Sequence, residues 1–296
     1  MSTTDFVRYD MQRVADLGAL CALLDERRQR GEEVVLLAGG TDFMVQVSQG
    51  ERAEGPLPLV VDISRLPELR RVEQDGERLR IGAGVSYLEL QRHPAVVART
   101  PAIAAMTYDV GGPTIQARGT LGGNLATASP AADGVAAIAA YDPTILVRST
   151  RGERRIPFAE LQTGYKQSTR AADEVIVAIE IDLPRADAAQ IWRKVGTRAA
   201  QAISKVALAA VAEVGGERVT RFGLALASVA PVTARMATTR ELVLGRPLAA
   251  IDGASLDAAV ERDIAPIDDI RSTAAYRRHV AKALTREVLR GLGAPV

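Results

Sequence analysis

Two stretches of this chain place glycines where backbone could meet an anion. The first is Leu36-Leu37-Ala38-Gly39-Gly40-Thr41-Asp42-Phe43, a buried-strand pattern that runs straight into two glycines, a hydroxyl and an acid. Glycines without Cβ atoms let neighbouring N–H groups converge on one phosphate, and a helical turn after them adds unpaired N–H groups and its dipole. That chemistry is the cradling of a pyrophosphate. The same residues also fit a tight strand-to-helix turn with Thr41 or Asp42 as its N-cap, so a second witness is needed.

The second stretch is Thr120-Leu121-Gly122-Gly123-Asn124-Leu125-Ala126-Thr127-Ala128-Ser129-Pro130-Ala131-Ala132-Asp133. It lies in a run from Gly119 to Ala140 whose only ionisable side chain is Asp133. Small side chains over such a length permit close backbone approach, and Thr120, Asn124, Thr127 and Ser129 add hydroxyls and an amide. A packing seam of small residues, with Asp133 capping a helix from Gly134 to Ala140, fits as well. Two such loops in one chain favour a dinucleotide.

Other candidates carry less. Ile81-Gly82-Ala83-Gly84-Val85-Ser86 holds half of a dinucleotide fingerprint after a strand, but Tyr87 stands where the third glycine belongs. It reads as a strand-ending turn with Ser86 capping the next helix. Arg193-Lys194 and Arg198 form a basic cluster that fits either a solvated face or a lysine meeting a polar cofactor edge. His93 and His279 are far apart in polar helical contexts, so neither a zinc set nor a Ser-His-Asp triad has support. Cys21 is the only cysteine. It can form no internal disulfide, cannot ligate an iron–sulfur cluster alone, and falls in the apolar stripe of a helix, where it reads as core.

The elements that must position these loops alternate at first. A helix from Asp16 to Arg30 precedes the run Val34 to Ala38, and strands recur at Leu57 to Asp62 and Arg78 to Ile81. Helical segments follow at Ser86 to Arg92 and Ala95 to Met106, then strands at Thr144 to Arg148 and Glu174 to Leu183. Pro184 to Ala189 is the candidate junction. Beyond it come strands at Ile191 to Val195, Val206 to Val214 and Arg218 to Val229, the last two joined through Gly215-Gly216. Helices at Ala237 to Leu244, Ser255 to Ile264 and Thr273 to Leu292 close the chain. The last has Tyr276, Val280, Leu284 and Val288 on one face and Arg277, Arg278, Arg286 and Arg290 on its exposed face. The order predicts α+β, with helices covering one face of an antiparallel C-terminal sheet.

Length and charge exclude several partners. The 296 residues allow two domains, and 37 Lys plus Arg against 36 Asp plus Glu leave no basic stripe for nucleic acid. No apolar run approaches the ~20 residues of a transmembrane helix. The N-terminus Met-Ser-Thr-Thr-Asp lacks a secretory pattern, so a cytoplasmic location is expected.

The loops and several further marks together resemble the FAD-binding medium subunit of the molybdenum hydroxylases, the family of xanthine dehydrogenase and aerobic carbon monoxide dehydrogenase. The marks include Ala38-Gly39-Gly40-Thr41-Asp42, Val61-Asp62-Ile63, Gly119-Thr120-Leu121-Gly122-Gly123-Asn124 and Ala128-Ser129-Pro130-Ala131-Ala132-Asp133. Lys194-Val195-Gly196-Thr197-Arg198 and Pro266-Ile267-Asp268-Asp269 with Tyr276-Arg277-Arg278 extend the likeness to nearly the whole chain. The resemblance implies a two-subdomain FAD-binding fold of the vanillyl-alcohol oxidase and p-cresol methylhydroxylase type over residues 1–184. An α+β C-terminal domain over residues 185–296 follows it.

Carried over by position, Leu36, Leu37, Ala38, Gly39, Gly40, Thr41, Asp42 and Phe43 would wrap the pyrophosphate of non-covalent FAD. Thr120, Gly122, Gly123 and Asn124 would close on it from the other side. Asp133 would bond a polar group of the cofactor, and Val110, Ile176 and Lys194 would line it. Val110 departs from the family, where an aromatic residue can stand. The resemblance also implies partner chains, a molybdopterin-binding large subunit and a small subunit with [2Fe-2S] clusters, assembled as a dimer of heterotrimers. Electrons would pass from those clusters to the flavin and on to an external acceptor. A self-contained, non-covalent FAD oxidase of the same fold is the alternative.

Overall fold

The structure, a computed structural model, describes residues 8–50, 56–199 and 201–296. Its first unit is a three-stranded parallel sheet made of β1 (Met11–Arg13), β2 (Val34–Leu37) and β3 (Leu59–Asp62), in the order β1-β3-β2. Helix α1 (Leu17–Gln29) links β1 to β2, and the Asp16 carboxylate caps it by accepting from the Ala19 N–H at 2.8 Å. It buries Leu17, Leu20, Cys21 and Leu24 in one apolar cluster with Val61 and Ile63, so Cys21 is core. β2 ends one residue earlier than the apolar run, at Leu37, and the chain turns through Ala38, Gly39 and Gly40 into α2 (Thr41–Gln49). Gly40 adopts φ +76°, a left-handed conformation that glycine takes without a Cβ penalty, and it rather than Thr41 or Asp42 caps α2.

The second unit is a five-stranded antiparallel sheet fed by a cluster of short helices. Strands β4 (Val72–Asp75) and β5 (Arg78–Gly82) come first. Then follow α3 (Tyr87–Arg92), α4 (Pro94–Arg99), α5 (Pro101–Asp109), α6 (Pro113–Arg118), α7 (Leu121–Thr127) and α8 (Asp133–Ala139). The chain returns as β6 (Thr144–Ser149), β7 (Gly152–Pro157), α9 (Phe158–Leu161), the small pair β8 (Gln162–Gly164) and β9 (Gln167–Ser168), and β10 (Val175–Asp182). The sheet order is β4-β5-β10-β6-β7. Ser86 caps α3 in a full capping box with Glu89. Prolines at the first turns of α4, α5 and α6 explain why this region is broken into short helices.

The third unit is an antiparallel sheet of β11 (Ala189–Val195), β12 (Val206–Gly215) and β13 (Arg218–Ala227), followed by α10 (Ala237–Val243), α11 (Gly253–Asp263) and α12 (Ala274–Gly291). The C-terminal helices cover one face of it, as the sequence pattern predicted, and the other face is covered as well. Val206, Leu208, Ala210 and Ala212 join the core with the C-terminal helices, whereas Ala207, Ala209 and Val211 join the large core that contains α5 and α8. β12 is therefore buried on both faces, which explains its unbroken apolar run. Alanines on β12, β13 and α8 let helix and sheet approach closely. At Gly223 a Cβ would overlap the Ala140 carbonyl. Among the described residues no helix is long and apolar enough to cross a membrane.

Helix α12 corrects the reading of its arginines. Arg277 is 3% exposed, whereas Tyr276 is 42% exposed. The buried stripe begins with Arg277 and continues through Val280, Ala281, Leu284 and Val288, which turns Tyr276 outward beneath the Lys205 ammonium. Arg277 Nη1 donates to the carbonyls of Lys205 (2.9 Å) and Ser228 (2.7 Å), and Nη2 donates to both oxygens of Asp269 at 2.8 Å. Replacing Arg277 by Met would take the guanidinium donor from two carbonyls and from the Asp269 carboxylate, which would keep only the N–H groups of Arg271 and Ser272 and the more distant Arg271 side chain. We expect Arg277→Met to lower stability by about 3 kcal/mol in thermal or urea unfolding; an unchanged midpoint would contradict this account of the side chain.

Candidate functional site

The two glycine loops, far apart in sequence, meet in space. The Thr127 hydroxyl donates to Asp42 Oδ2 at 2.6 Å, tying α7 to the first turn of α2. The Arg118 Nε donates to the Gly39 carbonyl at 3.4 Å. A Cβ on Gly39 would overlap the Arg118 carbonyl, and one on Gly122 would overlap Ala83. These two glycines are thus demanded by backbone packed against backbone, the feature that lets the loops adjoin. Gly123 differs, since the nearest heavy atom to its Cβ position is Thr120 Oγ1 at 3.0 Å.

The junction exposes donors without acceptors. Among the described residues no hydrogen bond engages the backbone N–H groups of Gly39, Gly40, Thr41, Asp42 or Phe43, and no side chain caps α2. Such a consecutive set at a helix start is suited to an anion. The second loop is more self-contained. The Thr120 hydroxyl accepts from the Gly123 N–H at 3.0 Å, and Asn124 Oδ1 accepts from the Val135 N–H at 3.1 Å, so both groups hold α7 and α8 in place.

Two cavities flank this junction. The larger, about 550 Å³, is lined by Asp42, Val110, Asn124, Asp133 and Lys194 together with Arg198 and the segment from Gln201 to Ile203. The smaller, about 170 Å³, is lined by Leu36, Ala38, Gly122, Gly123 and Ile176 with Ala83, Arg170 and Val175. Of the other residues marked in the sequence, Gly39, Gly40 and Thr41 line neither cavity but join Ala38 on the smaller to Asp42 on the larger. Thr120 is buried as a cap. Leu37 and Phe43 face away, into a small core where the Tyr9 ring meets Phe43 edge-on at 5.2 Å.

A buried ion pair sits on the wall of the larger cavity. Lys194 Nζ donates to Asp133 Oδ2 at 2.6 Å and to the Asp109 carbonyl at 2.8 Å, and both side chains of the pair are about nine-tenths buried. Ser204 Oγ donates to the other carboxylate oxygen at 2.5 Å. Burial pushes the Asp133 carboxyl above its ordinary value, while Lys194 and Ser204 pull it back. Asp133 is the first residue of α8 and caps nothing, contrary to the capping role its position allowed. The sequence puts Lys194 on β11, and the strand brings it over the end of α5. There Trp192 Nε1 also donates to Asp109 Oδ2, at 2.7 Å.

Residues 7–185 match the family described as the FAD binding domain in molybdopterin dehydrogenase. The chain belongs to that FAD-binding family. Residues 192–292 match the CO dehydrogenase flavoprotein C-terminal domain. The chain is 29% identical, over 96% of its length and 95% of the relative's, to a putative xanthine dehydrogenase FAD-binding subunit of Escherichia coli. It is 33% identical to the nicotinate dehydrogenase FAD-subunit of Eubacterium barkeri, over 58% of each chain. The structure superposes on that of carbon monoxide dehydrogenase from Hydrogenophaga pseudoflava with a TM-score of 0.88, 26% identity and 95% of each chain covered. The two-subdomain FAD-binding architecture followed by an α+β C-terminal domain is therefore that of this flavoprotein.

Within the flavoprotein fold, sequence reasoning passed over Arg118, Asp109, Ser204 and Arg170. Arg118 and Asp109 both act partly through their carbonyls, and no residue type signals a carbonyl. Ser204 is 1% exposed, and its partner Asp133 lies 71 positions away in sequence.

Proposed function

We propose that this flavoprotein is the FAD-binding electron-transfer subunit of a heteromeric molybdenum hydroxylase. It takes electrons from [2Fe-2S] clusters of a partner chain and passes them to an external acceptor. The observation that carries the reading is the convergence of both glycine loops between two cavities of unequal size, with a row of unpaired N–H groups at the junction. That arrangement fits a dinucleotide with a central pyrophosphate and a ring system at each end. Residues Leu36 to Phe43 with Thr120, Gly122, Gly123 and Asn124 would hold the pyrophosphate, while Asp133, Lys194 and Val110 would border the flavin ring and Ile176 the other end.

Bound FAD supplies the redox chemistry, and the protein binds, orients and tunes it. Lys194 and Asp133 keep opposite charges fixed on the wall of the larger cavity without presenting a net charge. An adjoining cavity of about 540 Å³ shares Ala131, Lys166 and Ile203 with the larger one and offers an acceptor a way in. The partners we assign are a molybdopterin-binding large subunit and an iron–sulfur small subunit, as a dimer of heterotrimers in the cytoplasm. The relatives named as FAD subunits and medium chains of such dehydrogenases support this division. We place the boundary between the FAD-binding domain and the C-terminal domain at residues 184 and 185. The single Cys21 is buried in α1, so the clusters belong to another chain.

The test is functional separation. The isolated chain, loaded with FAD, should be reduced by dithionite but not by the substrate of its complex, and adding the molybdenum and iron–sulfur subunits should restore reduction by substrate. Stoichiometric anaerobic reduction of the pure chain by a physiological small molecule would overturn the reading in favour of a self-contained oxidase.

A further inference from the structure

The smaller cavity has two charged residues in its lining, Arg170 and Glu174, that the family carry-over does not assign. Its walls are otherwise largely apolar, through Leu36, Ile63, Val175 and Ile176. Apolar walls favour any flat ring and distinguish poorly between ligands; a guanidinium adds a planar, weakly hydrated cation that stacks on heteroaromatic faces.

Arg170 is held in place from several sides. Its Nη1 donates to the carbonyls of Ala171 (3.1 Å) and Glu174 (2.5 Å). On one flank the Thr169 N–H bonds the Leu161 carbonyl at 2.9 Å and the Thr169 hydroxyl bonds the Glu160 carbonyl at 3.0 Å. On the other flank the Glu174 carboxylate takes two bonds from Arg154, at 2.9 and 2.7 Å, and one from the Ala171 N–H at 2.8 Å. Glu174 is thus engaged with Arg154, and among the described residues no ion pair involves Arg170 and no hydrogen bond uses its Nε or Nη2. Burial lowers the Arg170 guanidinium from its ordinary value, with Glu174 partly opposing the shift. A clamped, partly desolvated arginine that forms no ion pair among the described residues, its neighbour Glu174 being engaged with Arg154, thus lines a cavity with less than a third of the volume of the larger one.

We propose that Arg170 is a specificity-determining residue for the adenylate half of FAD, its guanidinium plane forming the wall on which the purine lies in the smaller cavity. The inference rests on the FAD reading above, and on size: of the two ring systems of FAD, the purine is the smaller and suits the smaller cavity. FMN shares the flavin, ribityl chain and first phosphate but has nothing to place against Arg170. The residue therefore acts on the preference for FAD over FMN.

The test is fluorescence titration of the flavin-free full chain with FAD and with FMN, for the native protein, Arg170→Leu and Arg170→Lys, with circular dichroism melts on each. The expected result is a rise of about 10- to 30-fold in the FAD dissociation constant for Arg170→Leu, with FMN binding changed less than about twofold. Arg170→Lys, which keeps the charge but not the plane, should recover little of the loss. AMP should compete with FAD on the native protein, and this competition should weaken in Arg170→Leu. The proposal is overturned if FAD and FMN weaken in parallel, if Arg170→Leu binds FAD as the native chain does, or if Arg170→Lys binds FAD fully. If Arg170→Leu does not fold, Arg170→Lys and AMP competition on the native chain still decide, and AMP that fails to compete overturns the proposal. Failure of the native chain to bind FAD would instead sink the underlying reading, and is told apart by the first titration.

Discussion

Gly123→Val is expected to strip the protein of flavin while leaving it folded, and Gly39→Ala to unfold it. The contrast follows from what each missing Cβ would meet. At Gly123 the nearest heavy atom is Thr120 Oγ1 at 3.0 Å, a hydroxyl on a side chain that can shift by a few tenths of an ångström. The valine methyls would then extend from a residue that lines the smaller cavity, beside the junction proposed for the pyrophosphate. A β-branched side chain there cannot rotate out of the way, and we expect FAD affinity to fall by about 100-fold or more, the equivalent of ~3 kcal/mol of overpacking. At Gly39 the obstacle is the Arg118 carbonyl, backbone that has no rotamer to change, so the two loops must part. Flavin content after purification and circular dichroism melts check both. A folded Gly123→Val chain that keeps full flavin content would refute the loop assignment.

Both loops were legible in the sequence because glycines, small residues and a lone acid are compositional signals that need no knowledge of neighbours. Their purpose was only half legible. Gly39 and Gly122 read as openings toward a ligand, whereas the structure shows their bare faces against Arg118 and Ala83. Strands with an apolar pattern, such as β3, β10 and β12, were equally readable. β1, β4 and β7 were not. Gln74 and Asp75 on β4, and Glu153, Arg154 and Arg155 on β7, are exposed, and these strands are held by edge ladders to β5 and β6 that leave no apolar alternation. Arg277 was misread for a related reason. Its burial depends on carbonyls of Lys205 and Ser228 supplied by the strand ends, and a helical wheel contains only the helix. Arg170 and Ser204 share that condition, each defined by partners that the fold supplies.

The same dependence makes the Asp133–Lys194 pair sensitive to loss of either partner. Lys194→Met would leave the Asp133 carboxylate buried with only the Ser204 hydroxyl, and breaking a buried pair from one side typically destabilises by about 3–5 kcal/mol. The loss should depend on pH in a direction that the pair dictates. Burial already raises the Asp133 carboxyl, and Lys194 is the largest influence pulling it down. Without the lysine, the folded-state value rises further above the unfolded one of about 3.9. Below that unfolded value the carboxyl is protonated in both states, and the variant loses little. As pH rises, the unfolded chain ionises first, and the stability deficit grows until the raised folded value is passed. Urea unfolding of native and variant chains between about pH 4 and pH 8 should therefore give curves that diverge with rising pH. The double variant Asp133→Asn with Lys194→Met removes the unpaired charge and should recover most of the stability, with a nearly pH-independent difference from the native chain. Flavin affinity should be weakened in the double variant as well, because the Lys194 ammonium and the Asp133 carboxylate that border the larger cavity are both absent from it. A deficit in Lys194→Met that is constant across this range would show that Asp133 does not carry the buried charge on which the arrangement depends.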